Sequence, residues 1–445
     1  MEQIFKYPLF GEGFALICRY ENSMVYPISM HDLPSTDYLQ AYFSANKVAA
    51  EILLLCNGLH TTSDIINVLC ERYQDEVDNV TSLVVNFLQD SKDKGYLYFA
   101  DFCTEHNIRV YGDFSLQTPI TANIEVTNGC PLKCLHCFNN SGAYGLQELD
   151  TGQLFLILDT LNLFGIPVVT LTGGEPTQRS DFLEIVRYAS QRFARVIISS
   201  NGYLLTDKIA SALSCMQSNI VVQISLDGVE NNHNMIRGKD DSFQKATDAI
   251  SMLRERGVPT TVATTINAIN YGDMGEIAEL VNGLDGLALS FTTTFEEGRA
   301  RQNGLSHKVD INRIVSQAKD LKDFYRDKGL LILVDDALNR FVGEQDAYCN
   351  AGVGQITIRF NGDVAPCASF GFSYGNLLRD DPGKLFSLEN LEIFRRIPNP
   401  SMKLCGDCEE IVNCNFCPAR AFSSPLSLEK CAWKMMLLEV MPNML

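Results

Sequence analysis

Six short apolar segments that alternate with helical patterns constrain the fold of this chain more than any other feature. They lie between Ile120 and about Gly329, and they read ITANIEVT, VVTLTGG, RVIISSNG, IVVQISLDG, TTVATTIN and LALSFTTTF. Strands that are apolar along nearly their whole length are typical of a parallel sheet covered by helices. Six strand and helix units in this order predict an α/β fold, a partial (β/α)6 barrel. Functional side chains of such a barrel collect at the C-terminal ends of its strands.

Three cysteines directly follow the first of these strands. They are Cys130, Cys134 and Cys137 in the eight-residue sequence CPLKCLHC. Cysteine thiolates are the usual ligands of iron–sulfur clusters, and a four-iron cluster normally takes four of them. Three thiolates would leave one iron open to a substrate, as in catalytic rather than structural metal centres. Structural zinc is the alternative, with His136 as the one further zinc ligand inside the loop.

The spacing of these cysteines resembles the signature of the radical S-adenosylmethionine (SAM) enzymes, whose fold is a partial TIM barrel. Four segments at the ends of later elements, GGEP, SSNG, SLDG and HNMIRG, match the same family, and the resemblance covers about residues 120–295. It implies a SAM-binding [4Fe–4S] cluster on the three cysteines and a 5′-deoxyadenosyl radical that abstracts hydrogen. The residues that it assigns to SAM binding are His136, Gly173, Gly174, Glu175, Ser199, Asn201, Ser225, Asp227 and Arg237.

Seven further cysteines lie in the C-terminal part of the chain, at positions 349, 367, 405, 408, 414, 417 and 431. Their number and order resemble the SPASM extension of radical SAM enzymes, which carries two auxiliary [4Fe–4S] clusters. The resemblance implies that one cluster is fully ligated, by Cys405, Cys408, Cys414 and Cys431. It implies that the other cluster has an open site and is held by Cys349, Cys367 and Cys417. A zinc ribbon is the alternative for CGDCEEIVNCNFC.

The first hundred residues contain three short strand patterns and three helical patterns, which predict a small winged-helix unit. FALICRY and SMVYPIS form a predicted hairpin, YLQAYF is the third strand, and Ser44 and Thr62 are predicted N-caps of the first two helices. The segment resembles the recognition element of enzymes that modify ribosomally made peptides. In those enzymes a leader peptide adds a strand beside the third strand and packs on the third helix. A simple adaptor domain is the alternative.

We therefore predict four segments: residues 1–100 for leader recognition, 101–119 as a linker, 120–329 as the barrel and 330–445 as the auxiliary-cluster domain. The net charge is −18, from 36 Lys and Arg against 54 Asp and Glu. This charge repels phosphate backbones and anionic membrane surfaces, so neither nucleic acid nor a membrane is an expected partner. The N-terminal residues MEQIFKYPLF lack the pattern of a secretion signal. We expect a cytoplasmic protein, because clustered thiols in a reducing compartment bind metal more often than they form disulfides.

The combined resemblance predicts a peptide-modifying oxidoreductase that joins a cysteine sulfur to an unactivated carbon of a precursor peptide, as sactionine and ranthipeptide synthases do. A reductant such as flavodoxin or ferredoxin would be its second partner. Carbon–carbon cross-linking, for example between Lys and Trp, is the alternative. A sulfatase-maturing enzyme fits less well, because Ala368 stands where that group has an acidic residue. A peptide adaptor without turnover also fits less well, since it needs neither GGEP nor Arg237.

Overall fold

The structure is a computed structural model, and it divides into two compact units. The first unit comprises residues 1–118 and 162–167, and the second comprises residues 119–161 and 168–445. Within the described residues, no helix combines the length and the apolar composition that a bilayer crossing needs. The residues that the structure describes are 6–28, 43–142, 147–216, 218–295, 297–305, 311–334, 349, 351–387, 393–394, 396–397, 399–408, 417–423 and 426–440.

The first unit packs three helices and two small sheets around its own apolar core. The larger sheet has the order β4-β3-β2-β6, and the smaller sheet pairs β1 with β5. Its core includes the fully buried side chains of Ile52, Leu53, Ile65 and Val84. The elements are β1 (Tyr7–Phe10), β2 (Phe14–Cys18), β3 (Ser23–Pro27), β4 (Phe43–Ala45), α1 (Lys47–Leu55), α2 (Thr62–Tyr73), α3 (Val77–Asp93), β5 (Leu97–Ala100) and β6 (Val110–Gly112).

The predicted hairpin of this unit is present, since β2 and β3 pair antiparallel. The predicted strand YLQAYF falls mostly on residues 38–42, which lie outside the described residues, and β4 begins at Phe43. The predicted N-caps were wrong by one or two positions. Asn46 caps α1 with its side chain, and Thr61 caps α2. The winged-helix arrangement and the four segment boundaries stay predictions.

The second unit begins with seven parallel strands in chain order, which confirms the predicted α/β fold. Strands β7 to β13 pair successively, and side chains such as Val169, Ile198 and Val222 are completely buried in this sheet. The elements are β7 (Thr121–Thr127), α4 (Thr151–Leu163), β8 (Val168–Gly173), α5 (Phe182–Ser190), β9 (Arg195–Ser200), α6 (Asp207–Ser214), β10 (Ile220–Ser225), α7 (Glu230–Arg237), α8 (Ser242–Glu255), β11 (Thr260–Ile266), α9 (Met274–Gly283), β12 (Ala288–Thr293), α10 (Gly298–Asn303), α11 (Ile311–Tyr325) and β13 (Leu331–Val334).

The C-terminal segment continues the same sheet beyond its first strand. Strand β14 pairs parallel with β7, in the register Gln355↔Thr121 to Ile358↔Ile124, and β15 and β16 follow antiparallel. The sheet is therefore open and largely parallel, with the C-terminal strands beside β7. The further elements are β14 (Gln355–Ile358), β15 (Asp363–Ala365), β16 (Gly375–Asn376), α12 (Pro382–Leu385), α13 (Met402–Cys405), α14 (Pro418–Ser423) and α15 (Ala432–Val440).

Candidate functional site

A cavity of about 540 Å³ in the second unit brings two of the predicted cysteine groups together. One side is formed by the loop after β7, which carries Cys130, Cys134 and Cys137. Another side is formed by Cys349, Cys367 and Cys417 of the C-terminal segment. The predicted SAM-binding residues that also line the cavity are His136, Gly173, Gly174, Ser199, Asn201, Ser225 and Arg237. Their roles as ligands stay predictions.

The strand ends place these side chains because parallel strands alternate between their two faces. Gln223 and Ser225 of β10 line the cavity, whereas Ile224 between them is a buried apolar residue, and on β9 the buried Ile198 precedes the cavity-lining Ser199. Gly174 follows β8, where the chain passes very close to the cysteine loop. A Cβ atom on Gly174 would lie 2.1 Å from the backbone oxygen of Gly129. The glycine therefore permits an approach that a side chain would prevent.

Glu175 lies behind the cavity wall instead of lining it. Its carboxylate is completely buried and accepts hydrogen bonds from the Asn201 backbone N–H (2.7 Å) and the Ser200 hydroxyl (2.8 Å). It also accepts from the hydroxyl of Thr177 (2.5 Å). Burial raises the pKa of Glu175, although these hydrogen bonds oppose the shift. The side chain thus fixes the end of β9, including Asn201, which itself faces the cavity.

Asp227 is also buried behind the cavity, where it holds two residues that line it. Its carboxylate pairs with Arg237 (2.6 Å) and lies 3.3 Å from Nε2 of His136. Burial alone would raise the pKa of Asp227, but Arg237, with the two nearby histidines, holds it below its usual range. Burial and Arg237 lower the pKa of His233 to about 3, and its neutral Nδ1 accepts a hydrogen bond from the Asp227 backbone N–H (3.0 Å). Arg237 is thereby held against Cys134, with 3.7 Å between Nη1 and Sγ.

The first cysteine group has the donor chemistry that a metal cluster needs. Burial raises the pKa of Cys130 to about 12, and it also raises the pKa of Cys134. Buried thiols of this kind stay protonated at neutral pH unless a bound cation stabilises the thiolates. Arg237 supplies a buried positive charge whose Nε has no hydrogen-bond partner among the described residues. Three thiols, a buried arginine and a large cavity therefore fit an iron–sulfur cluster together with an anionic small molecule.

The C-terminal cysteines that the structure describes pack in two groups, and their roles as cluster ligands stay predictions. Cys349, Cys367 and Cys417 pack around Phe370 and Ala419, and burial, with the other two cysteines, raises the pKa of Cys367 to about 12. The members of the second group that the structure describes pack with Trp433 and Leu437, and they are Cys405, Cys408 and Cys431. The remaining predicted ligand, Cys414, lies outside the described residues.

Among the described residues, no three His, Cys, Asp or Glu side chains lie close enough together to hold one metal ion.

Two arginines of the cavity wall were missed as site residues. Arg299 donates from Nε to the Cys134 carbonyl (2.9 Å) and from Nη1 to the Ser141 carbonyl (3.1 Å). Arg420 donates to the Thr293 hydroxyl (2.8 Å) and lies over the Phe295 ring. The sequence signal for Arg299 was the tripeptide GRA at residues 298–300, which resembles a segment between barrel and extension in SPASM proteins. Arg420 follows Cys417 by three residues without a comparable signal.

Three family profiles match the chain in the predicted order. The profile of coenzyme PQQ synthesis protein D matches residues 28–97, that of the radical SAM superfamily matches residues 124–281, and that of the SPASM iron–sulfur cluster-binding domain matches residues 349–409.

Similar proteins include a maturation protein and a maturase. The sporulation killing factor maturation protein SkfB of Bacillus subtilis (strain 168) is 29% identical over 289 residues, which are 63% of this chain and 70% of SkfB. The mycofactocin maturase MftC of Mycolicibacterium smegmatis is 32% identical, over 71% of this chain and 82% of MftC. The crystal structure of Streptococcus suis SuiB bound to SAM has a TM-score of 0.66 and 14% identity, over 94% of this chain and 97% of SuiB. SuiB has also been solved with its precursor peptide SuiA, and that structure gives a TM-score of 0.65.

Proposed function

The chain belongs to the radical SAM superfamily, and from this premise we propose that it is a peptide maturase that forms thioether bonds. In the proposed reaction, a cysteine of a ribosomally made precursor peptide is joined through its sulfur to an unactivated carbon of another residue. The C–H bond of the acceptor residue and the S–H bond of the cysteine are replaced by one C–S bond. The hydrogen atom from carbon leaves in 5′-deoxyadenosine, and the thiol proton and one electron leave separately.

One observation carries this proposal: two incomplete sets of three thiols face the same cavity. Cys130, Cys134 and Cys137 leave a position for SAM on the first cluster. Among the described residues, Cys349, Cys367 and Cys417 would leave a second position on the cluster that they would hold. A substrate thiolate is the natural ligand for that second position, since thiolates are preferred by iron–sulfur centres. The remaining group of C-terminal cysteines, Cys405, Cys408 and Cys431 among the described residues, does not line the cavity. This placement suits a cluster that only carries electrons.

The cofactors supply the reductive cleavage of SAM to a 5′-deoxyadenosyl radical, and the chain orients the reactants around it. Arg237 offers its guanidinium to the SAM carboxylate, and Asp227 keeps that guanidinium in place. The hydroxyl of Ser199 lines the cavity and would approach the methionine and ribose groups of SAM. The side-chain amide of Asn201 also lines it and donates to the Cys130 sulfur (3.7 Å), and Glu175 fixes the strand end that carries both residues.

The peptide partner would be bound first by the N-terminal unit. SkfB is by name a maturation protein of a killing factor, and SuiB has been solved with a precursor peptide. Strand β4 is the end strand of its sheet, so one edge is open to an added strand among the described residues. A leader peptide would pair there by β-strand addition. Deletion of residues 1–100 is then expected to remove peptide modification and to spare SAM cleavage without peptide. Reduction of the clusters would come from flavodoxin or ferredoxin.

Mass spectrometry of a co-expressed precursor peptide tests the proposed reaction. Each thioether bond removes two hydrogens from the peptide mass, and tandem fragmentation locates the bond. Alkylation with iodoacetamide then separates the two chemistries, because a cysteine in a thioether no longer reacts. A peptide that loses two hydrogens while all its cysteines remain reactive would instead establish carbon–carbon cross-linking.

A further inference from the structure

The short helix α10 contacts both cysteine-bearing sides of the cavity. It follows β12, the sixth strand, and its side chains bond to the loop of the first cysteine group and to the segment after Cys417. On the first side, Arg299 and Asn303 donate to backbone carbonyls of the loop. On the second side, Arg301 donates from Nη2 to the Ser423 carbonyl at the end of α14 (2.7 Å). The hydroxyl of Ser423 in turn bonds to Glu297, immediately before α10.

The cysteine loop depends on such contacts because residues 128–142 contain no helix or strand. Buried carbonyls in a loop need donors from elsewhere in the chain. Arg299 supplies three of these donors: its backbone N–H reaches Cys137 (2.9 Å), and its guanidinium reaches Cys134 (2.9 Å) and Ser141 (3.1 Å). Asn303 adds a fourth, to the Leu135 carbonyl (3.0 Å). A single helical turn therefore fixes the backbone around two of the three thiols.

The close contact between α10 and the loop requires the glycine that begins the helix. Gly298 has a φ of +54°, and a Cβ atom there would lie 2.4 Å from the Phe138 oxygen and 2.6 Å from the Cys137 oxygen. Any side chain would push α10 away from the loop and pull Arg299 out of reach of its acceptors. Gly298 thus allows α10 to approach the cysteine loop, and Arg299 bonds to the loop at that distance.

We propose that α10 is a brace that sets the position of the SAM-cluster loop relative to the Cys349, Cys367 and Cys417 group, with Arg299 as its positioning residue. The inference rests on the proposed function, because it concerns how a radical and a captured thiolate are kept within reach of one another. A second connection supports it: Arg420 of α14 donates back to the Thr293 carbonyl and hydroxyl at the end of β12. The α14 segment is therefore bonded both to α10 and to the end of the strand that precedes it.

Variants at Arg299 test the loop end of the brace in the reconstituted, oxygen-free protein. Arg299→Met removes both guanidinium bonds, and Arg299→Lys keeps the charge but cannot bond two carbonyls as a fork. We expect Arg299→Met to broaden or abolish the change that SAM causes in the electron paramagnetic resonance signal of the reduced protein. We also expect peptide-free 5′-deoxyadenosine formation to fall on the order of 10- to 100-fold, as for a misplacement of about 1 Å. The rate of 5′-deoxyadenosine formation by Arg299→Lys should lie between the rates of the parent protein and of Arg299→Met. Arg326→Met, in an exposed ion pair with Asp323, is the matched control.

Arg301→Met combined with Ser423→Ala tests the other end, because the pair removes both bonds between Ser423 and the α10 segment and leaves the loop contacts in place. We expect an unchanged SAM-dependent signal. We also expect a broader distribution of the magnetic coupling between the first cluster and the cluster that Cys349, Cys367 and Cys417 would hold, measured by pulsed electron paramagnetic resonance. Unchanged coupling would overturn the bridging role. Parent-like signals and SAM cleavage in both Arg299 variants would overturn the positioning role. If Arg299→Met fails to retain iron, the SAM-dependent signal and the SAM cleavage of Arg299→Lys and Asn303→Ala test the positioning role instead. A parent protein without iron and sulfide would instead count against the proposed function.

Discussion

At the scale of single residues, the sequence motifs predicted which residues lie near the cavity better than which side chains face it. Of the residues predicted to bind SAM, Gly173, Gly174 and Arg237 line the cavity, whereas Glu175 and Asp227 are buried behind it. A motif at a strand end places the backbone, but the direction of a carboxylate depends on its buried partners, which come from other strands. The Asp227 carboxylate contacts Arg237 and His136, and the Glu175 carboxylate accepts hydrogen bonds from Ser200 and Asn201.

Gly174→Ala tests the close approach of β8 to the cysteine loop. The added methyl group would overlap the Gly129 oxygen, so the loop must move. We expect a loss of about 1–3 kcal/mol in unfolding free energy, as for overpacked sites, and less iron in the first cluster. Thermal unfolding and iron analysis measure the two effects. Gly283→Ala is the control, because a Cβ atom there meets nothing within 4 Å. Equal losses from both variants would contradict the prediction.

Asp227→Asn tests the buried ion pair with Arg237. Loss of the carboxylate charge leaves the guanidinium buried without its partner, which typically costs about 3–5 kcal/mol. We expect a lower unfolding temperature and a higher KM for SAM, because Arg237 is no longer held towards the cavity. The surface pair of Asp323 and Arg326 offers a comparison, since Asp323→Asn should cost less than about 1 kcal/mol. Unaltered SAM affinity in Asp227→Asn would exclude a role for Asp227 in positioning Arg237.

At the scale of elements, local patterns predicted the six barrel strands and the hairpin, because period and composition are visible in a short window. Strand β13 and the pairing of β14 with β7 were not predicted from the sequence. Both strands have four residues, and β14 lies more than 200 positions after its partner, so no local pattern reports the contact. The helix caps were predicted near their true positions. Which polar residue caps a helix depends on backbone angles that composition does not reveal.

Thr61→Ala tests the cap of α2 at the same scale. The Thr61 hydroxyl accepts from the Asp64 N–H (3.2 Å), while the Asp64 carboxylate accepts from the Thr61 N–H (2.8 Å). Loss of such a cap costs about 1 kcal/mol, so the first-turn amides of α2 should exchange hydrogen about five times faster by the Boltzmann relation. Mass spectrometry resolves this exchange. Ser44→Ala is the control, because Asn46 caps α1.

The contribution of Asp64 to this cap should depend on pH in one direction. Hydrogen bonds from Thr61 lower the pKa of Asp64, so the folded helix favours the carboxylate. The stabilisation is complete above the unfolded pKa of about 4, and it is lost as the pH falls through the lowered folded value. The difference in exchange between the parent and Asp64→Asn should therefore be present at pH 7 and shrink in acid. A difference that grows in acid would contradict this assignment.

At the scale of the whole molecule, the motifs predicted three cysteine groups by resemblance, and their placement follows from the sheet. Because β14 pairs with β7, the segment that carries Cys349 and Cys367 is placed beside the loop that carries Cys130. The half-buried Arg359 strengthens this junction, since it lies 3.5 Å from Glu125 of β7 and donates to the Phe370 carbonyl near Cys367 (2.6 Å). Only the folded sheet reveals that two groups share one cavity and the third does not.

Separate removal of the cysteine groups should divide the reaction into its parts. If three four-iron clusters are present, the reconstituted parent protein should hold about twelve irons, and alanine at Cys130, Cys134 and Cys137 should remove about four of them and all SAM cleavage. Alanine at Cys349, Cys367 and Cys417 should also remove about four irons. That variant should still cleave SAM without peptide but form no thioether, because the peptide thiolate has lost its site. Alanine at the exposed Cys103 and Cys215 should change neither the iron content nor the rate of SAM cleavage. Thioether formation by the second variant would show that sulfur is captured elsewhere, and the cavity would then serve the radical step alone.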